Sequence, residues 1–147
     1  METESQAKTS VQEVAGLQQI YIVTRHWLDE MLFLDDEIRF LRSLFDKYFD
    51  TLLRDEHVNR VQLINDHLNM VDIHKRIIKD EILTHQANLD KTLKNNIENR
   101  EAFLNLEHDR LEEEIKDLNR RVKGVKNEIF QITEMLLLNK KLTANLN

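Results

Sequence analysis

The chain has 147 residues, enough for one domain, with no cysteine, no proline and two glycines. The lack of cysteine excludes disulfides and thiolate metal sites, and the shortage of proline and glycine predicts an all-helical chain with few connections. The net charge of −6 argues against binding nucleic acid or lying on an anionic membrane. No apolar run approaches the ~20 residues that span a bilayer, so we expect no membrane insertion.

The first segment, residues 1–10, is polar and predicts a disordered N-terminal tail. It lacks the apolar core of a secretory signal, so we expect a cytoplasmic protein. Ser10 followed by Glu13 fits a capping box, which predicts that a first helix runs from about Val11 to about Arg54. The apolar seam of this helix repeats every seven residues. Its members are Leu17, Ile20, Thr24, Trp27, Met31, Leu34, Ile38, Leu41, Phe45, Tyr48 and Leu52.

A second helix is predicted from about residue 56 to about residue 94. Asp55 is a good N-cap for it, so we expect a tight turn at about residues 53–57. The seam drifts in the middle of the helix, where either His74 or Lys75 fills a gap. Its other members are Val61, Ile64, Leu68, Val71, Ile78, Ile82, His85, Leu89 and Leu93.

A second turn is predicted where Asn95, Asn96 and Asn99 cluster, because asparagine tolerates left-handed backbone and caps helices. The alternative is one continuous rod over residues 56–143. The third helix then runs over about residues 100–142, and its seam again repeats every seven residues without interruption. The seam consists of Leu104, His108, Leu111, Ile115, Leu118, Val122, Val125, Ile129, Ile132 and Leu136.

Short connections make consecutive helices antiparallel. The expected fold is therefore all-α: an elongated antiparallel three-helix bundle, or coiled coil, forming a single domain over residues 11–147. Folding at about residue 56 places the acidic run 35–37 opposite Lys75, Arg76 and Lys79. An exposed ion pair contributes at most ~1 kcal/mol, so these charges help to choose the register while burial of the seams drives folding.

Folding about residues 56 and 97 brings three histidines, His26, His85 and His108, to one level of the bundle. Two or three imidazoles with a carboxylate could hold zinc or iron. The other interpretation is that His85 and His108 form a neutral, hydrogen-bonded polar layer that sets the register. The Glu-x-x-His pairs of di-iron bundles are missing, which favours the polar layer. We expect no catalytic residue, metal or cofactor, and we expect the acidic cluster 112–117 to be a solvated face.

Apolar residues also occur outside the seams, in the half of the bundle nearest the first turn. A monomer would leave much of this surface exposed, so the pattern predicts self-association, as a homodimer, or binding of a helical protein partner. The alternative is a broad core face. We therefore expect a non-enzymatic structural or protein-interaction bundle, with a metal- or cofactor-binding bundle as the alternative. The candidate interface residues are Phe33, Phe40, Leu44, Met70, Ile73, Ile77 and Phe130.

Overall fold

The computed structural model describes residues 2–54, 57–96 and 98–146, with side chains from residue 11 onward except 143 and 146. The described residues form three helices: α1 (Glu2–Arg54), α2 (Val58–Lys94) and α3 (Glu101–Leu146). The predicted fold class, an all-α three-helix bundle, is confirmed.

Both predicted turns are present. The first separates Arg54 from Val58, and its predicted cap, Asp55, lies outside the described residues. At the second turn Asn96 and Asn99 have positive φ angles of 47° and 64°, the left-handed conformation that asparagine adopts more readily than most residues. The alternative of one continuous rod was therefore wrong.

The ends of α1 and α3 correct the predicted boundaries. Helix α1 begins at Glu2, so residues 2–10 are helical instead of forming a disordered tail, and Ser10 lies within the helix, not at its N-cap. This segment contains no glycine or proline and includes Glu, Gln, Ala and Lys, which have high helix propensity. Helix α3 likewise continues to Leu146, beyond the predicted end near residue 142.

Backbone contacts divide the chain into two compact units, and each helix contributes a stretch to both. Unit 1 contains Met1–Leu32 and Arg76–Lys116, and unit 2 contains Phe33–Lys75 and Asp117–Asn147. The single domain over residues 11–147 stays a prediction.

In unit 1, α1 and α2 run antiparallel. Leu17 packs in one buried cluster with Leu89 and Leu104. Further along α1, Trp27 stacks on His108, which is hydrogen-bonded to His85, four residues before Leu89. A forward step along α1 therefore matches a backward step along α2.

In unit 2 the same direction follows from polar contacts. Asp35 on α1 pairs with Lys75 on α2, and Arg42 donates to the side-chain oxygens of Asn65 and Asn69 at 2.7 and 2.5 Å. Moving forward along α1 from Asp35 to Arg42 again means moving backward along α2. The predicted antiparallel pairing of the first two helices is thus present in both units.

The predicted seams supply most of the buried core. All ten seam residues of α3 are buried, and nine of the eleven in α1 are buried while Ile20 and Tyr48 are half-buried. The gap in the α2 seam is filled by Lys75, because His74 is only half-buried. The buried threonines, Thr24, Thr92 and Thr133, each donate to a backbone carbonyl oxygen one turn earlier, at 2.8 Å. Their buried hydroxyl groups are therefore hydrogen-bonded.

Candidate functional site

A buried polar layer lies in the core of unit 1, where the α2 and α3 seams each place a histidine. His85 is fully buried, and its Nε2 lies 3.3 Å from Nδ1 of His108. The other ring nitrogen of His85, Nδ1, lies 3.0 Å from Oε1 of Glu107. The indole of Trp27 stacks on His108 with 4.2 Å between ring centroids. These four residues, Trp27, His85, Glu107 and His108, are called the histidine layer below.

Hydrogen bonding determines how the protons of this layer are arranged. The ionised carboxylate of Glu107 only accepts, so Nδ1 of His85 carries a hydrogen and donates it. In neutral His85 the Nε2 atom is then an acceptor, and Nδ1 of His108 donates to it. One proton on each ring therefore satisfies every contact between the three side chains.

Burial favours this neutral state. Desolvation lowers the pKa of His85 below its usual value and outweighs the opposing attraction of Glu107. Burial also lowers the pKa of His108, and the neighbouring His85 lowers it further. Both imidazoles are therefore expected to be uncharged near pH 7, as the polar-layer interpretation requires.

The third candidate ligand, His26, is not brought into the layer. Its side chain is exposed, and the next residue, Trp27, occupies the seam position that faces His108. Both ring nitrogens of His85 already have partners within the protein. Within the described residues, no group of three or more histidines and carboxylates is arranged to hold a metal ion. The geometry favours the polar layer over the metal site.

A second buried polar group, Lys75, lies in the core of unit 2. Its ammonium donates to Asp35 on α1 and, at 3.1 Å, to Asp72 on its own helix. The pair with Asp35 confirms the predicted register between the acidic run of α1 and the basic run of α2. Glu37 instead pairs with Lys126 on α3 at 3.1 Å, so the acidic run is shared between both neighbouring helices.

The acidic cluster of α3 points to solvent, as predicted. Lys116 lies 3.5 Å from Glu112, and Arg121 lies 3.1 Å from Asp117, all four with substantially exposed side chains. Pairs of this kind, one turn apart, stabilise the helix surface by a few tenths of a kcal/mol.

The predicted interface residues are largely exposed. Phe33 is 75% exposed, Phe40 58%, Met70 57% and Phe130 40%. Ile73 and Ile77 are exposed as well, and Leu44 is half-buried. Ile77 belongs to unit 1, whereas the other six residues belong to unit 2. The apolar excess of unit 2 is therefore mostly on the surface and not in a broad core face.

One group of these residues lies where α1 faces α3 in unit 2. The Glu37–Lys126 ion pair marks this side of both helices. On α1, Phe33, Phe40 and Leu44 lie three, four or seven residues from Glu37. These spacings put them on the same face of the helix as Glu37. On α3, Phe130 follows Lys126 by one turn, and the Lys126 ammonium lies 5.8 Å from the centre of its ring. The aromatic flank is defined as Phe33, Phe40, Leu44 and Phe130.

The other flank of α3 faces α2 and carries an open groove of about 430 Å³. The pair between His67 and Glu128, 2.9 Å apart, marks this side. Met70 lies here, one turn from His67, so it belongs to a different surface from the aromatic flank. This groove, called the glycine groove, is lined by His67, Met70, Val71, Arg121, Gly124, Val125 and Glu128.

Sequence reasoning had not identified the glycine groove. Its only signal was Gly124, an isolated glycine inside a long helix, which costs roughly 0.5–1 kcal/mol relative to alanine. A Cβ atom built on Gly124 would meet no atom within 4 Å beyond the adjacent backbone of its own helix, so packing within the chain does not demand glycine here. Trp27 was recognised only as a seam residue, although the register that aligns His26 with His108 also brings Trp27 to that level.

Comparisons with protein-family models, curated proteins and solved structures found no match for this chain. In the part of the chain that the structure describes, none of the helices combines the length and the apolar character needed to cross a membrane.

Proposed function

We propose that this chain is a non-enzymatic protein-interaction bundle that self-associates through the aromatic flank of unit 2. The observation that carries the proposal is the exposure of Phe33 and Phe40, at 75% and 58%, on the same face of α1. Fully burying a phenylalanine side chain contributes ~1.5–3 kcal/mol. Monomers rarely expose contiguous apolar patches larger than a few hundred Å². A surface of this kind is therefore better suited to a partner than to water.

A second copy of the chain is the partner proposed. A two-fold axis lets equal surfaces cover each other, and two-fold dimers are the commonest oligomers of soluble proteins. A different helical protein that lays an apolar face on the same flank is the alternative partner.

A structural role for the histidine layer supports the non-enzymatic part of the proposal. His85 is fully buried, and both of its ring nitrogens bond to protein groups, Glu107 and His108. An imidazole held in this way is well suited to setting the register of α2 against α3 and poorly placed to meet a substrate. The cytoplasmic location stays a prediction.

The dimer is tested by combining Phe33→Glu with Phe40→Glu and measuring mass by sedimentation equilibrium and helicity by circular dichroism. We expect the mass to fall from dimer to monomer with helicity largely unchanged, because both side chains lie outside the core. The matched control is Phe103→Glu/Leu106→Glu, which places the same two charges at exposed apolar residues of unit 1 and should leave the dimer intact.

A wild-type protein that is monomeric at high micromolar concentration would refute self-association. Loss of helicity without a change of mass would show that the two phenylalanines belong to the core. Metal analysis of protein purified without added metal tests the alternative function. Near-equimolar zinc or iron that disappears in His85→Leu/His108→Leu would establish a metal-binding bundle instead.

A further inference from the structure

We infer that the glycine groove of one copy receives the outer face of α1, residues 33–40, from a second copy. This inference rests on the proposed self-association and goes further by naming the surface that covers the aromatic flank. Both surfaces belong to unit 2, and the dimer would contain two identical contacts of this kind.

The groove has the form of a receptor for apolar side chains from a helix. Its volume of about 430 Å³ is in the range of protein binding sites. Buried Val71 and Val125 form apolar lining, and the flexible side chain of Met70, 57% exposed, can adapt to an incoming ring. Gly124 leaves open space above the backbone of α3, so a neighbouring helix can approach it closely. A partner helix would give a reason for glycine at this position.

Charge complementarity favours residues 33–40 of α1 as the occupant. Phe33, Asp36 and Phe40 follow the i, i+3, i+7 spacing of a helix face that docks into a groove, and all three are exposed. Asp36 is the acidic group of this face, since Asp35 and Glu37 pair with Lys75 and Lys126 within the chain. Arg121 lines the groove and can meet the carboxylate of Asp36, while the other charged lining residue, Glu128, pairs with His67. Part of this charge is already paired within the chain, as in the contact between Arg121 and Asp117, so the complementarity mainly steers and orients the copies.

The two surfaces also lie at the same level of unit 2. The Glu37–Lys126 pair places residues 33–40 beside the stretch of α3 that contributes residues 121–128 to the groove. They lie on opposite flanks of α3, as the partners of Lys126 and Glu128 show. A two-fold axis parallel to the helices of this unit would place the α1 flank of each copy over the groove of the other. The dimer then contains two identical contacts, and both aromatic flanks and both glycine grooves are covered.

Disulfide trapping tests this contact directly, because the natural chain contains no cysteine. In the variant Asp36→Cys/Gly124→Cys, oxidation should form a covalent dimer linking position 36 of one copy to position 124 of the other. Such a bond requires Cα atoms within about 7 Å, so it reports the proposed contact specifically. The control variant, Asp36→Cys/Leu106→Cys, carries its second cysteine at an exposed site of unit 1. Peptide mapping by mass spectrometry identifies the linked positions.

Filling the groove provides an independent measurement. Gly124→Leu should weaken dimerisation at least about tenfold, while helicity stays equal or rises, because a Cβ there meets no atom and leucine favours helix. The inference fails if Gly124→Leu dimerises normally and position 124 cross-links no better than the control. The proposed function still stands in that case, provided that Phe33→Glu/Phe40→Glu dissociates the dimer. If wild type is monomeric, both fail.

Discussion

Acidification should destabilise this protein through the histidine layer. In the neutral layer one hydrogen bond joins Nδ1 of His108 to Nε2 of His85 across 3.3 Å. A single added proton can be accommodated beside the carboxylate of Glu107. A second proton places two N–H groups face to face and two positive charges next to each other in the core, with Trp27 stacked on one of the rings. Charging both rings therefore opposes folding.

The sign of the effect follows from the direction of the pKa changes. Burial lowers the pKa of both His85 and His108 in the folded protein, whereas in the unfolded chain both are near 6.5. Between the lowered values and 6.5 the unfolded chain binds more protons, so the free energy of unfolding rises with pH there and is lost as pH falls. Each histidine contributes a slope of at most about 1.36 kcal/mol per pH unit, so the pair contributes at most about 2.7 kcal/mol per unit.

Urea unfolding followed by circular dichroism, from about pH 7.5 down to about pH 5.5, measures this slope. The reference is His85→Leu/His108→Leu, which keeps every carboxylate and removes only the two titrating rings. We expect this double variant to fold, to equal or exceed wild type at pH 7.5, and to lack the additional loss below pH 6.5. His85→Leu alone should cost roughly 1–3 kcal/mol, because it leaves the buried N–H donor of His108 without an acceptor. The carboxylate of Glu107 loses its partner in both variants, but it is only half-buried and can be hydrated.

Two results would refute this reasoning. Equal losses of stability in wild type and the double variant would mean that the layer does not titrate in this range. An increase in wild-type stability on acidification, relative to the double variant, would mean that the folded layer holds a proton more tightly than the unfolded chain. In that case the Glu107–His85 pair is an ion pair, and its attraction outweighs the cost of burial.

Three further predictions concern stability, each measured by urea or thermal unfolding. Lys75→Met should leave the free energy of unfolding equal or higher, because the carboxylates of Asp35 and Asp72 are partly exposed and can be hydrated. Asp35→Ala should lower it by about 1–3 kcal/mol, because a buried ammonium loses one of its partners. Asn96→Gly should leave stability equal or slightly higher, and Asn96→Val should lower it by about 1–2 kcal/mol, since φ is positive there. Phe45→Ala should cost about 3–5 kcal/mol, because Phe45 is fully buried; a cost below 1 kcal/mol would contradict its place in the core.

The helices, their seams and both turns were predictable because their causes are local. A seven-residue repeat identifies the face of a helix that becomes buried, whatever it packs against. The left-handed conformation of Asn96 and Asn99 likewise follows from the short polar side chain of asparagine. The start of α1 was less predictable, because the capping box at Ser10 competed with the helix propensity of the residues before it, and the helix continued.

The tertiary structure decided which of two adjacent residues is buried and which side of a helix each exposed residue faces. Consecutive residues are about 100° apart, so a single step separates buried Trp27 from exposed His26 and buried Lys75 from half-buried His74. The sequence left the choice between His74 and Lys75 open, and the packed neighbours selected Lys75. The sequence assigned Trp27 to the seam, but only the packing shows that Trp27, and not His26, contacts His108. Direction around the helix also decides which surface Phe130 and Met70 belong to. The sequence shows only that both are apolar and lie outside the seams. Because α1 and α2 pack on opposite flanks of α3, the two residues lie on different surfaces.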